Sequence, residues 1–357
     1  MSRNQESPII IAPTVDDVMA CQFSNWYQTF RTLPKDGFQR KAVTIKSVVI
    51  PLSQLFLDYL KTDGVTLPIE ATNVSALDAV GDENSEWSGT ENDDLDVEEF
   101  SFPTLTAEIH AGIESLGGEV LPKLNWSSPK DAVWMNGGKL KCQNPADVYV
   151  LLKSSDFIMH DLLHAFDNCI GEESNISYEL VLRQWCNLYP SMEFRCFVWD
   201  EELIAISQRN HTQQFPHLVT EKMRIRSEII DFYAEFIHKN SIGMKNYSFD
   251  VYIDRKERPW LVDFNVWGTQ TDALLFTWED LARMTEEQAE LQDSLNTLAN
   301  QKPEIRVVET ENEVRHDPLA SYRAPIDTIN LASMTTSDAS KFEEFMKMCS
   351  KPSQEGV

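Results

Sequence analysis

The chain has 357 residues, 42% of them hydrophobic and including 18 Phe and 9 Trp, which is enough to bury a core larger than one ordinary domain needs. Its formal net charge of −26 opposes binding to nucleic acid or to an anionic membrane surface, because like charges repel. A basic partner, or a counter-ion held by clustered carboxylates, suits that balance better.

The N-terminal MSRNQESPIIIAPTVDD lacks a basic start, and its apolar run is too short for a signal peptide. No window approaches the roughly 20 apolar residues of a membrane span. The six cysteines are scattered without a C-x-x-C pair, the usage of a reducing compartment. These features predict a cytoplasmic protein. CQFSNWYQTFR predicts an amphipathic helix, AVTIKSVVIPL a β-branched strand closed by Pro51, and SQLFLDYLKTDG a helix stopped at Gly64. Nine acidic residues and no Lys or Arg lie between Asp82 and Glu99, so residues 64–100 read as an acidic, disordered, solvent-facing insertion. Order returns with a helix in FPTLTAEIHAGIESLGG, a strand in EVLPKLN and a helix in PADVYVLLKSS. ISYELVLRQW, EFRCFVW and ELIAISQ predict strands, and a long helix spans roughly 217–239. EEQAELQDSLNTLANQ suggests a loose helix, PEIRVVE a short strand, and the last ~25 residues a frayed tail. Helices and strands alternate without a repeat, which gives an α/β or α+β class.

The stretch FDVYIDRKERPWLVDFNVWG, 249–268, reads as a hairpin. If Arg255 to Arg258 form its loop, Asp254 pairs with Pro259, Val251 faces Val262, Ile253 faces Trp260, and Asp250 faces Asp263. Asn265 then shares their face by the two-residue alternation of a strand. Like charges opposed across a ladder need a neutralising partner. Two carboxylates and an amide oxygen suit a hard divalent cation such as magnesium, which shares its shell with water and phosphates. In the other reading Asp263 caps the next turn and Asp250 is merely exposed, and a single bulge would scatter the set.

LPKLNWSSPKDAVWM places Lys123 at a strand end before Asn125, Ser127 and Ser128. An ammonium beside small residues can meet phosphate oxygens, although the same pattern describes a surface lysine before a serine turn. Neither G-x-x-x-x-G-K-[ST] nor G-x-G-x-x-G occurs. Arg183 and Arg195 sit on apolar strands and require a buried anion, either a carboxylate (Glu179 and Glu193 are near) or a phosphate. The loop length between EFRCFVW and ELIAISQ leaves open whether Arg195 opposes Ile206 or Ser207. His160 and His164 are spaced i, i+4 but lack a general-base Glu, which favours a solvated or packed pair over a metal site.

CQFSNWY, VTIKSVVIPL, SLGGEVLPKLNWSSPKDAVWM, LLKSSDF, YELVLRQW, MEFRCFV, LIAISQR and WLVDFN…LLFTWEDL together resemble the cell division cycle protein 123 family from about residue 20 to 282, and SYRAPIDTINL extends the match. The resemblance implies an α+β, ATP-grasp-like fold with nucleotide between two α/β subdomains. It implies a segment 1–63 packed on the core, the acidic insertion 64–100, a phosphate-loop subdomain 101–175, a hinge and metal-hairpin subdomain 176–283, and a C-terminal extension 284–357. Carried over by motif, Lys123, Asn125, Trp126, Ser127, Ser128, Asp131 and Tyr178 hold ATP. Glu179, Leu180, Val181, Leu182 and Arg183 supply the adenine hinge, Arg195 and Gln208 line the pocket, and Asp250, Asp263 and Asn265 bind Mg2+. Trp126 and Pro129 depart from the glycine-rich loop usual in ATP-grasp proteins. The implied function is that of an ATP-dependent assembly chaperone for eukaryotic translation initiation factor 2. It binds the gamma subunit as a monomer within a hetero-complex, without direct nucleic-acid or membrane contact. The alternative implied by the fold is an ATP-dependent carboxylate–amine ligase.

Overall fold

The computed structural model describes residues 11–33, 42–71, 99–172, 175–240, 242–293 and 303–322. Most of the acidic insertion, the later part of the predicted 286–301 helix and the C-terminal tail lie outside the described residues.

Two sheets organise the chain. The smaller is antiparallel, with β3 (Glu179–Gln184) between β1 (Ser47–Pro51) and β2 (Val120–Lys123). It takes one strand from each of the segments 1–63, 101–175 and 176–283. The larger runs β7-β6-β4-β5-β8, formed by β4 (Glu193–Trp199), β5 (Glu202–Gln208), β6 (Tyr247–Ile253), β7 (Pro259–Val266) and the short β8 (Glu304–Arg306). The predicted strands all occur: β4 and β5 keep the predicted bounds, β6 begins two residues earlier, at Tyr247, and β1, β2, β3 and β8 are shorter than the runs that suggested them.

Alternation along β3 divides its work. Leu180 and Leu182 are fully buried with Phe56, Ile109 and Tyr149 beneath the helices Gln54–Lys61, Pro103–Ser115 and Pro145–Lys153. Glu179, Val181 and Arg183 point the other way, and Val181 joins the core under the larger sheet. That core packs Phe194, Cys196, Phe249 and Phe264 against the helix Pro216–Phe232 and against Phe23, Trp26 and Phe30 of the helix Phe23–Arg31. A third cluster covers one end of the opposite face with Phe197, Trp267, Phe276 and Leu281.

Local chemistry explains several boundaries. Gly117 and Gly118 end the helix Pro103–Ser115 with φ of +97° and +88°, a region that side chains with a Cβ disfavour. The helix Gln54–Lys61 ends on the buried Lys153 ammonium, which donates to the carbonyls of Tyr59, Leu60 and Thr62. The predicted 217–239 helix is α-helical over Pro216–Phe232 and then widens to a π turn, Tyr233–Ile237. Cys21, Cys142 and Cys196 are buried free thiols. Among the described residues no helix is long and apolar enough to cross a membrane.

Candidate nucleotide site

The site is built on strand register. The β4–β5 connection is the two-residue turn Asp200-Glu201, both with positive φ, which pairs Trp199 with Glu202. Continued regularly, that register would bring Arg195 opposite Ile206. A bulge at Ile204 shifts it by one, so Arg195 opposes Ser207. On its other side Arg195 opposes Asp250, and Asp250 opposes Asp263. Ser207, Arg195, Asp250 and Asp263 therefore form one row across four strands.

The β6–β7 hairpin reaches this register by a different route from the expected one. Its loop is Asp254 to Arg258, one residue longer, with Ile253 opposite Pro259 and Val251 opposite Leu261. Val262 is then the extra residue of a bulge, and from Asp250 onward the expected pairing resumes. The expected pairs Val251–Val262 and Ile253–Trp260 do not form. The two one-residue offsets cancel, which leaves Asp250, Asp263 and Asn265 on one face. The bulge that threatened to scatter the set instead restores it.

Neutralising charges come from the protein itself. Arg195 grips Asp250 with two bonds, Nε to Oδ1 at 2.8 Å and Nη2 to Oδ2 at 3.0 Å, and donates Nη1 to the Asp272 carbonyl at 2.9 Å. Arg209 adds a longer approach to Asp250, 3.4 Å. Burial alone would raise the Asp250 carboxyl, but the Arg195 and Arg209 charges and the Arg195 hydrogen bonds outweigh it and hold it well below the usual carboxylate range. Across from the hairpin, β2 extends Lys123, 1% exposed, so that Nζ meets Asp263 Oδ2 at 2.5 Å.

Between the sheets lies a cleft of about 400 Å³. Ser128, Lys130, Arg183, Arg209, Asp250 and Asp263 line one part, and Gln184, Trp185, Cys186, Asn187 and Leu188 another. Arg183 is 6% exposed, and its Nε and Nη2 have no hydrogen-bond partner. It stacks 5.5 Å from the Phe23 ring, and burial holds its pKa below the usual arginine value. Lys130, half-buried, has its pKa lowered to about 8, first by the Arg209 charge and then by burial. Five cations, Lys123, Lys130, Arg183, Arg195 and Arg209, thus surround three carboxylates, Glu193, Asp250 and Asp263, in a chain of strongly negative charge. The surplus is positive where the chain as a whole is negative.

The other residues named from the sequence divide sharply. Ser128 lines the cleft. Asn125 is fully buried and ties its loop to β3, accepting from Glu179 N at 2.9 Å and donating to Ser177 O at 3.1 Å. The Trp126 indole donates to Val18 O at 2.8 Å. Asp131 caps the helix Asp156–Leu163, accepting from Ser155 Oγ and Asp156 N, both at 2.6 Å. Tyr178 donates to the Asp161 carbonyl at 3.1 Å. Glu179 accepts from Ser24 N at 2.9 Å, and Leu180, Val181 and Leu182 fill cores. Gln208 is fully buried and ties β5 to Val308 N at 3.0 Å. His160 and His164 are exposed, and His164 pairs with Asp167 at 3.0 Å.

Sequence reasoning missed Lys130, Arg209 and the Trp185–Leu188 wall. It also missed Asp161, which holds the 125–128 loop by accepting from Ser127 N at 2.8 Å and Ser127 Oγ at 2.7 Å. Burial pushes the Asp161 carboxyl up to about 6, against the Ser127 bonds and the Lys123 charge, which pull it down. A folded-state pKa above the unfolded ~3.9 means the folded protein binds the extra proton. Its contribution to stability is complete below ~pH 3.9 and lost as pH rises through 6. Urea midpoints of wild type and Asp161→Asn should therefore diverge as pH rises from 4 to 7, the wild type losing stability relative to the variant. Parallel curves would contradict the raised pKa.

The two carboxylates and the amide that share the hairpin face fit a magnesium ion in chemistry. The Asn265 amide nitrogen and the facing Ser248 hydroxyl are buried without partners, so folding leaves this end of the face uncommitted. Among the described residues there is no cluster of three or more His, Cys, Asp or Glu side chains placed to hold a metal; the set depends on Asn265.

The family described as D123 matches residues 26–332. A translation initiation factor eIF2 assembly protein of Xenopus tropicalis is 40% identical over 345 residues, covering 93% of this chain and 96% of the relative. The cell division cycle protein 123 of Phaeosphaeria nodorum is 42% identical over 284 residues, covering 76% and 72%. The solved structure of Cdc123 from Schizosaccharomyces pombe is 34% identical with a TM-score of 0.62, covering 83% of this chain and 98% of that one. The two-sheet α+β architecture is therefore shared with a solved relative, and the chain belongs to the D123 family.

Proposed function

We propose that this protein binds ATP with magnesium in the inter-sheet cleft and assists assembly of translation initiation factor 2, with the gamma subunit as its direct partner. The named function of relatives at this identity and coverage supports the assembly role. The observation that carries the nucleotide reading is the cation surplus around Arg183 and Lys130, opposite the hairpin face of Asp250, Asp263 and Asn265. An ATP-grasp-like arrangement puts the triphosphate between the two sheets. Lys123, Lys130, Arg183 and Arg209 attract its charge, and Asp250, Asp263 and Asn265 would hold the magnesium, which supplies charge neutralisation when bound. The Trp185–Leu188 strip lies where a base can stack and meet backbone groups. Nucleotide binding bridges the sheets and holds the shape that captures the partner.

Capture of purified gamma subunit, with and without Mg·ATP, tests the whole reading. Capture should rise with nucleotide, and the nucleotide should be recovered intact. Equal capture in both conditions sinks the coupling.

Lys130 supplies a second test. A neighbouring polyphosphate raises the depressed ammonium pKa, so binding takes up a proton above about pH 8. Affinity for Mg·ADP should fall as pH rises from 7.5 to 9.5, by at most ~tenfold per unit for one linked proton. Lys130→Met should bind more weakly with a flatter profile. Calorimetry in two buffers of different ionisation enthalpy reads the proton directly, and an unchanged profile in the variant rejects the role.

A further inference from the structure

After β2 the chain makes an arch, Ser127 to Asp131, whose two feet rest on one helix, Asp156–Leu163. At the first foot the Asp161 carboxylate, 4% exposed, accepts from Ser127 N at 2.8 Å and Ser127 Oγ at 2.7 Å, with Trp126 N farther off at 3.4 Å. At the second foot the buried Asp131 accepts from Ser155 Oγ, Asp156 N and Phe157 N, and so caps the same helix. Ser128, Pro129 and Lys130 span the gap, tightened by a bond from Lys130 N to Ser128 O at 2.7 Å. Ser128 and Lys130, which line the cleft, both lie between the feet.

The bonds upstream act on other groups. Asn125 is tied to Ser177 and Glu179, the Trp126 indole to Val18, and the Ser127 carbonyl to Leu124 N at 2.9 Å. That leaves the Ser127 N–H and hydroxyl to Asp161, as the last side-chain contact before Ser128. A carboxylate suits this place, because two donors of one residue meet its two oxygens and the charge strengthens both bonds. Lys123 of β2 is the cation that acts on it, and the Tyr178 hydroxyl donates to its backbone carbonyl. Asp161 itself does not line the cleft.

We propose that Asp161 is a positioning residue of the nucleotide site: its ionised carboxylate holds the arch in the shape that presents Ser128 and Lys130 to the phosphates, without touching the nucleotide. The proposal rests on the nucleotide reading and adds to it a residue that acts through the loop. An arch held in place spares binding the cost of ordering it. Burial raises the Asp161 carboxyl to about 6, so the hold weakens in mild acid. The protonated group offers one good acceptor oxygen to two donors.

The test compares the full-length wild type with Asp161→Asn and Ser127→Ala. Mg·ADP is titrated by calorimetry, and adenosine by ligand-observed NMR, which reads weak binding. At pH 7 Asp161→Asn should bind Mg·ADP about tenfold more weakly, with adenosine unchanged, since the arch meets phosphate and not the base. Ser127→Ala removes one donor and leaves the charge, so its loss for Mg·ADP should be about threefold. It carries the comparison if Asp161→Asn folds poorly. The ratio of wild-type to Asp161→Asn affinity should grow from pH 5 to 7, because only the wild type gains the charge. Titration of the nucleotide is common to both proteins and cancels. Without nucleotide, hydrogen exchange at the Ser127 and Lys130 amides should quicken in Asp161→Asn.

An equal loss for adenosine makes Asp161 a merely structural residue and overturns the proposal. So does Mg·ADP binding that is unchanged or tighter in the folded variants, or a ratio that stays flat or falls with pH. A wild type that binds neither ligand overturns the nucleotide reading instead, and the exchange rates then decide alone whether Asp161 holds the arch.

Discussion

Replacing Arg195 by methionine is expected to cost about 3–5 kcal/mol of stability, because it leaves the Asp250 carboxylate buried with only the longer approach of Arg209 and the more distant charge of Lys130 to offset it. That is a large fraction of the 5–15 kcal/mol by which a typical domain is stable. The measurement is the urea midpoint at pH 7. The double variant Arg195→Met/Asp250→Leu should recover most of the loss, since an apolar pair of similar volume removes both the attraction and the desolvation cost. The pH dependence should also change sign. In the wild type the depressed Asp250 carboxyl contributes stability that is present above the unfolded ~3.9 and lost as pH falls below it. In Arg195→Met the burial penalty is no longer outweighed by that partner, so acidification from pH 7 to 5 should stabilise the variant. A double variant no more stable than the single one would show that the pair acts through something besides its charges.

Asp263→Asn is expected to remove the stabilisation that Mg·ATP confers. A ligand at ~100 times its dissociation constant adds about 2.7 kcal/mol. Loss of a charge contact worth about 2–5 kcal/mol weakens binding by ~30-fold or more, which leaves at most about 0.9 kcal/mol of that shift at the same concentration. Because Asp263 also pairs with the buried Lys123, the variant without nucleotide should be less stable as well. The decisive quantity is therefore the difference between melting with and without Mg·ATP in each protein. Retention of the full wild-type difference would reject the magnesium assignment, and capture of the gamma subunit should weaken in parallel with its loss.

The hairpin shows how far sequence reasoning reaches. The alternation of FDVYID and PWLVDFN is enough to put Asp250, Asp263 and Asn265 on one face if their register is known. The assumed even loop is wrong by one residue and the unseen bulge at Val262 corrects it, so the right face was reached through a compensation that no local pattern encodes. Bulges cost little locally and are chosen by what the strand must meet elsewhere. The same holds at Ile204, whose bulge decides that Arg195 meets Ser207 and stays in line with Asp250. Apolar neighbours around Arg195 announced a buried anion, but Glu193 and Glu179, near in sequence, are not its partners. Asp250 is, 55 residues away.

The loop after Lys123 carries the complementary lesson. Small polar residues allowed LNWSSPKDA to be a phosphate loop or a plain serine turn, and the resemblance favoured the first, yet Asn125 and Asp131 spend their side chains on β3 and on a helix N-terminus, and Asp161 occupies the Ser127 amide. Residue type alone cannot separate a side chain that holds a loop from one that the loop presents. Lys130 and Arg209 carried no motif because their importance comes from facing each other across two chain segments.

By itself the sequence determined the element types, the apolar faces and the family to which the chain belongs. Each of these rests on local periodicity or on matching residues in order. Tertiary structure decided which charges pair, which carboxylates stay ionised and which donors remain unsatisfied. Those properties depend on burial and on distances between residues far apart in the chain, and burial sets the strength of every electrostatic interaction among them.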